Sequence, residues 1–400
     1  MMGLPRMALA PDLSLFLIPD LRPMPVKLLL VGVGVFFIIG LIRTLATYEG
    51  RRAIVRRYQR FYRWEFWPPY LFYPPVLLYI AYLGIRFRSW TLFTAANPGI
   101  PAGGFVGESK YEILVRLKDA SPWLPAFTLL ASEEVGQRVA RAEQFLRRHG
   151  LHFPVVLKPD AGQRGSGVSI VRSSEQLREY LTRASYPVIL QEYVPGEEFG
   201  VFYYRHPGAA RGRVFSVTEK RMPVLVGDGR RTLEELVFAD DRAMCMADFY
   251  LRKNSERTQH VPAAGERIQL VEIGTHCRGA IFLDGGDTIT PALEETIDRI
   301  ARCFDGFFFG RFDIRVPSRH DLMAGKNIKI IELNGVTSEA TNIYDPKLSL
   351  FEAYGVLFHQ WRIAFEIGDL NRARGTHSTP VRALFQAIRD YRRLAESYPA

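Results

Sequence analysis

Two apolar stretches precede any alternating pattern. Residues 28–42 read LLLVGVGVFFIIGLI, fifteen apolar positions closed by Lys27 and Arg43, whose long stems extend the span to about 20 residues. This predicts one transmembrane helix over about 26–48. Residues 66–85, FWPPYLFYPPVLLYIAYLGI, carry four prolines in their first half. Proline removes backbone donors, so a straight spanning helix is disfavoured there. Spanning, re-entry and packing on a soluble domain all stay open for this stretch. Four glycines and two prolines around 93–110 mark a linker, placed at 93–108. Beyond it the periodicity changes. A helical pattern at 132–149 precedes the β-branched runs VVLKP and VSIV, and a helix opens at Ser173 or Ser174. The runs VILQEYV, FGVFYYR, GRFDIRV and IKIIELNG then read as strands. Mixed elements of this kind predict an α+β unit with antiparallel sheets over 109–345. The tail, 346–400, has helical apolar spacing.

Composition supports a packed core: 48% of the 400 residues are hydrophobic and 24% charged. The net charge of +10 is unevenly spread, because seven arginines and only Glu49 as an acid lie between Arg43 and Arg63. A basic run beside an apolar one points to the anionic membrane surface, not to nucleic acid. Arginines flank the second apolar stretch on both sides (Arg60 and Arg63, then Arg86 and Arg88). Both of its ends are therefore expected on the cytoplasmic side. The expected setting is a membrane of the bacterial inner type, with residues 1–92 associated with it and the later domain cytoplasmic. Cys245, Cys277 and Cys303 are scattered and read as reduced thiols, not as a zinc site.

The chemistry gathers around three stretches. In VVLKPDAGQRGSGVSIV one lysine, Lys158, precedes a glycine-rich loop between two strands. Bare backbone amides and a point charge suit a polyphosphate. No lysine-serine pair follows at Walker A spacing, and a strand stands where a P-loop would begin a helix. In GRFDIRV, residues two apart share a strand face, so Arg311, Asp313 and Arg315 look one way. In IKIIELNG, Glu332 and Asn334 do the same. Two carboxylates and an amide oxygen are hard ligands suited to Mg2+ held with substrate phosphates, and the arginines suit charge on a transferring phosphoryl group.

Taken in order, Lys158 with its loop, LQEYVPGEEFGV, Lys220, GRFD and IIELNG resemble the ATP-grasp superfamily, nearest the D-alanine:D-alanine ligase-like carboxylate-amine ligases. The likeness runs from about 109 to 344. It implies that Lys110 and Lys158 touch the α- and β-phosphates, and that Gly162, Gly165, Ser166 and Gly167 form a lid loop. It implies further that Gln191, Glu192, Tyr193 and Val194 meet adenine, that Glu198 holds the ribose, and that Lys220 approaches the adenine or phosphate side. Asp313, Glu332 and Asn334 would bind Mg2+. Arg311 would face the acyl phosphate, with Lys158 and Arg315 beside it as catalytic cations.

The implied activity is ATP- and Mg2+-dependent: a carboxylate is activated as an acyl phosphate and joined to an amine or similar nucleophile. Two other functions share these residues, an ATP-grasp-like kinase and a nucleotide-sensing membrane adaptor. The chain departs from the family at its front, where no alternating α/β domain stands, so the acceptor is not inherited. A lipid-linked or envelope-precursor acceptor at the membrane surface is expected instead. His276 and Arg278, between the two halves, read as a satisfied histidine and a candidate carboxylate clamp.

Overall fold

The computed structural model describes residues 24–46, 48–162 and 165–395; within these, the side chains of residues 24–31, 37, 41, 44, 48–50, 53, 118 and 277 lie outside the description, Cys277 among them. The chain divides into two compact units, Met1–Tyr58 and Gln59–Ala400.

In the smaller unit the helix Met24–Ala46 covers most of the stretch expected to span a membrane. That expectation is not supported: among the described residues no helix is long and apolar enough to cross a membrane. The Arg51 guanidinium donates to the Leu45 carbonyl at 2.8 Å, which satisfies one of the carbonyls left open at a helix end.

In the larger unit the proline-rich stretch settles among the three alternatives by packing on the domain. Its prolines break it into the short helices Trp64–Phe66, Pro69–Phe72 and Pro74–Arg86, with proline at the first turn of the latter two. The longest has 13 residues, about 20 Å of helix, which is too short for a bilayer core of about 30 Å. Phe72 of the preceding helix and Val76 and Leu83 of this one pack against the helix Leu350–Ala373. An aromatic ladder continues the contact. Trp64 stacks on Phe72 at 5.3 Å, Phe72 on Tyr354 at 5.4 Å, and Tyr79 on Phe358 at 4.5 Å.

The stretch read as a linker is largely buried. Leu92, Ala95 and Ala96 are fully enclosed, because the last two turns of Leu350–Ala373 need a partner: Asn371 Nδ2 donates to the Ala95 carbonyl at 2.9 Å.

Four strands, β1 (Phe127–Leu130), β2 (Val155–Pro159), β3 (Ser169–Val171) and β4 (Val188–Glu192), form one antiparallel sheet in the order β1-β4-β2-β3. The helices Val135–His149 and Ser174–Arg183 cover it, the second capped by Ser173 as its sequence predicts.

β5 (Glu197–Tyr204) and β6 (Arg213–Arg221) follow, then a two-stranded ribbon, β7 (Val224–Val226) with β8 (Arg267–Gln269). β9 (Ile281–Asp284), β10 (Phe309–Val316) and β11 (Lys329–Asn334) complete a second antiparallel sheet, ordered β11-β10-β5-β6-β9. The run FGVFYY is free of charge because both faces of β5 are covered. Phe199, Val201 and Tyr203 enter the core under the helix Pro291–Arg302, while Phe202 enters the core under Leu350–Ala373. The tail forms the helices Leu350–Ala373 and Val381–Ala395.

Candidate active site

A cavity of about 970 Å3 lies where the two sheets meet, lined by residues of both. β10 and β11 pair with Arg311 opposite Asn334 and Asp313 opposite Glu332. Directly opposed residues of an antiparallel pair share one face, so both carboxylates and the amide stand together, as the alternation predicts. A register shift after Asp313 then pairs Arg315 with Lys329.

Each carboxylate already holds cations. Arg311 grips Asp313 with two hydrogen bonds, Nε to Oδ1 at 2.8 Å and Nη2 to Oδ2 at 3.2 Å. Lys220 Nζ lies 3.1 Å from the same Oδ1. Burial alone would raise the Asp313 carboxyl; the Arg311 and Lys220 charges overcome it and hold the group well below the usual carboxylate range. Glu332 pairs with Lys110. Burial again opposes ionisation of both groups, and their mutual attraction leaves Glu332 below its ordinary value and Lys110 above its own. Asn334 Nδ2 is 3.4 Å from Asp313 Oδ2.

Lys158 crosses from the first sheet to the second. Its ammonium donates to Gln191 Oε1 at 3.0 Å and to the Ile331 carbonyl at 2.8 Å, beside Glu332. It touches no carboxylate directly, so burial dominates, and its pKa is lowered to about 8. The glycine loop after β2 contributes Gly162, Gly165 and Ser166 to the cavity wall. Gly165 has φ +72° and Gly167 φ +69°, left-handed positions that favour glycine. Gly167 does not reach the wall; its carbonyl accepts the Tyr180 hydroxyl at 2.6 Å.

At the other end, Gln191, Glu192, Tyr193 and Val194 line the cavity along the exit of β4. Glu192 Oε2 accepts the Ala126 amide at 2.9 Å, which fixes the strand end. Glu198 sits between Lys220 Nζ at 3.0 Å and Arg315 Nη2 at 3.0 Å. Arg315 also donates to the Val194 carbonyl at 2.9 Å and lies over the Tyr193 ring at 5.5 Å. The structure thus places Arg315 with Glu198 and Tyr193, whereas Lys220 bridges Glu198 and Asp313. His276 stacks on Tyr344 at 4.4 Å and lies 3.8 Å from Glu65. Arg278 is not among the residues lining the cavity.

Glu65, Tyr73, Glu339, Tyr344 and Gln360 are among the cavity-wall residues absent from the sequence expectations. Glu65 is buried and takes two hydrogen bonds from Arg242 Nη1, at 2.6 and 2.8 Å. One signal marks it, for Glu65 is the only acid between Glu49 and Glu108.

Among the described residues no three His, Cys, Asp or Glu side chains gather to hold a metal by themselves. Asp313, Glu332 and, with its amide turned, Asn334 supply three oxygen donors. That set fits Mg2+, which keeps several ligands from water or phosphate.

Two antiparallel sheets meet over lysines, arginines and a carboxylate pair, and in this α+β arrangement the chain resembles the ATP-grasp carboxylate-amine ligases. No family model matches it. It is 23% identical over 206 residues to the glutathione biosynthesis bifunctional protein GshAB of two Streptococcus agalactiae strains, a match covering 45% of this chain and only 26% of the length of those relatives. Similar solved structures include a D-alanine–D-alanine ligase from Bacillus anthracis, with 15% identity, 67% of this chain and 68% of the other covered and a TM-score of 0.37. A bifunctional glutathione synthetase from Pasteurella multocida has 17% identity, 62% and 36% coverage and a TM-score of 0.35.

Proposed function

We propose that the chain is an ATP-dependent ligase that activates a carboxylate and joins it to an amine. The observation that carries this is the opposed pair Asp313 and Glu332, with Asn334 in register, surrounded by Lys110, Lys158 and Arg311 in one cleft. Phosphoryl transfer needs positioning and charge stabilisation more than covalent help from the protein. Lys110 and Lys158 hold the phosphates of ATP. Asp313, Glu332 and Asn334 would hold Mg2+, which when bound neutralises phosphate charge. An oxygen of the substrate carboxylate attacks the γ-phosphorus, the bond from that phosphorus to the β-phosphate oxygen breaks, and ADP leaves. The amine nitrogen then attacks the acyl carbon, the bond to the phosphate oxygen breaks, and the amine proton passes to solvent as phosphate departs. Arg311, beside Asp313, stabilises charge on the acyl phosphate and tetrahedral intermediate. Gln191, Tyr193 and Val194 would contact adenine, and Glu198, with Arg315 and Lys220, the ribose.

The test is ADP release by the purified protein against pooled carboxylates with hydroxylamine as trapping nucleophile. Carboxylate-dependent ADP release with hydroxamate formation is expected. ADP release with a phosphorylated hydroxyl and no hydroxamate would show a kinase instead.

The ligase is further proposed to work against an anionic lipid surface, on the cytoplasmic side. Leu71, Leu77, Leu78 and Ile85 of the proline-broken helices are 52%, 60%, 73% and 67% exposed, with Arg86 and Arg88 exposed at the end of the stretch. Apolar side chains beside arginines suit an interfacial helix. Residues 59–400 are expected to co-float with vesicles containing anionic lipid, and Leu77→Ser/Leu78→Ser to lose at least about tenfold in binding, since each buried apolar side chain contributes about 1.5–3 kcal/mol. Equal flotation of the variant would remove this face from the contact.

A further inference from the structure

We propose that Tyr73, Glu339 and Tyr344 form the subsite for the amine-bearing acceptor, with Glu339 holding its ammonium group and the surrounding aromatic rings its carbon skeleton. This rests on the ligase function proposed above and names the chemical class of its second substrate.

Among the described residues three carboxylates that line the cavity, Glu108, Glu192 and Glu339, have no cation at ion-pair distance, and of these Glu339 is the one that two side-chain hydroxyls hold. Asp313 is paired with Arg311, Glu198 with Lys220, Glu332 with Lys110, and Glu65 with Arg242. Among the described residues Glu339 has no cation at ion-pair distance, and the groups that hydrogen-bond to its carboxylate are neutral hydroxyls. Tyr73 donates to Oε1 at 2.9 Å and Tyr344 to Oε2 at 2.8 Å. A carboxylate offers about four acceptor positions, so two hydroxyls leave each oxygen able to accept again. The tyrosines fix the orientation of the group without neutralising it. Burial pushes the Glu339 carboxyl up, against the two hydroxyls and the charges of Arg311 and His276. A ligand cation would relieve that cost.

Position supports the same assignment. Glu339 follows β11, and its backbone carbonyl accepts Arg311 Nη1 at 2.9 Å. The same guanidinium grips Asp313. A group held at Glu339 therefore stands one arginine away from the carboxylate proposed to organise the phosphates, where an acceptor nitrogen must wait for the acyl carbon.

The rest of the wall selects the skeleton. Trp64, Trp67 and Phe72 from the proline-rich stretch and Trp361 from the helix Leu350–Ala373 line this end of the cavity. Trp64 lies between Phe72 at 5.3 Å and Tyr344 at 5.9 Å. Aromatic faces bind apolar groups and also attract ammonium ions. The fitting ligand is thus a primary amine on an apolar or aromatic body.

The test uses the full chain and two probes of one shape, 2-phenylethylammonium and 2-phenylethanol, followed by quenching of tryptophan fluorescence, since three of the five tryptophans line the cavity. The ammonium is expected to bind at least about tenfold tighter than the alcohol, the discrimination a charge-assisted hydrogen bond gives. Glu339→Gln should abolish the preference, and Glu339→Asp, which keeps the charge, should retain part of it. Equal binding of the two probes, saturable binding of neither, or an undiminished preference in Glu339→Gln overturns the proposal. Hydroxamate trapping separates this result from the ligase function: an intact ammonium preference without any hydroxamate overturns the ligase, whereas hydroxamate without the preference overturns only the subsite.

Discussion

Lys158→Met is expected to lower carboxylate-dependent ADP release on the order of 10²–10³-fold, the usual loss when one preorganised charge leaves a transition state. The same variant should reveal what the wild type gives up to keep that charge. Lys158 is 6% exposed and has no carboxylate in direct contact, so its pKa falls from 10.5 to about 8. Below pH 8 the ammonium is present in both folded and unfolded chains. Between pH 8 and 10.5 the folded chain has released the proton while the unfolded chain still holds it, so stability rises with pH. The full rise corresponds to about 3 kcal/mol. Urea unfolding at pH 7.5 and pH 10 should show this gain in the wild type and not in Lys158→Met. Proton uptake on ATP binding above pH 8 should accompany it, because phosphate restores the ammonium. Wild-type turnover in the variant would take Lys158 out of the site, and matching pH profiles would mean that its charge is not under strain.

Glu332→Gln tests the other side of the cleft. Glu332 faces Asp313 across β10 and β11 and holds Lys110. The amide keeps the shape and removes one of the two carboxylates proposed to hold Mg2+. ADP release is expected to fall on the order of 10²–10³-fold, and the Mg2+ concentration for half-maximal rate to rise at least about tenfold. Glu332→Asp should recover part of both. An unchanged Mg2+ requirement in Glu332→Gln would place the metal elsewhere, even if the rate fell.

How far these features were legible in the sequence depends on the range of the interaction. Strand faces are local: alternation alone puts Asp313 with Arg311, and Glu332 with Asn334. The helix starts at Ser173 and the tail helices are local too. What periodicity does not carry is the partner across space. Arg315 reads as a catalytic cation, yet its guanidinium meets Glu198 and Val194, 117 and 121 residues away. The glycines and prolines of 93–108 read as a linker, but tight turns and burial use the same residues. The proline-rich stretch was ambiguous because apolar residues serve a bilayer, a core and a binding wall alike. Glu339 carried no sequence signal; only the two tyrosine hydroxyls converging on it distinguish it from an ordinary loop acid.

The aromatic stretch also decides where the protein can be cut. A fragment begun at Gly99, inside the stretch whose composition reads as a linker, would discard Glu65, Trp64, Trp67 and Tyr73. Arg242 would then lose its buried partner, and Glu339 would lose half of its hydroxyl cradle. Such a fragment would fold around a gap, and its silence in an assay would report missing masonry, not missing chemistry. Excision belongs upstream of Gln59, where the compact unit itself begins.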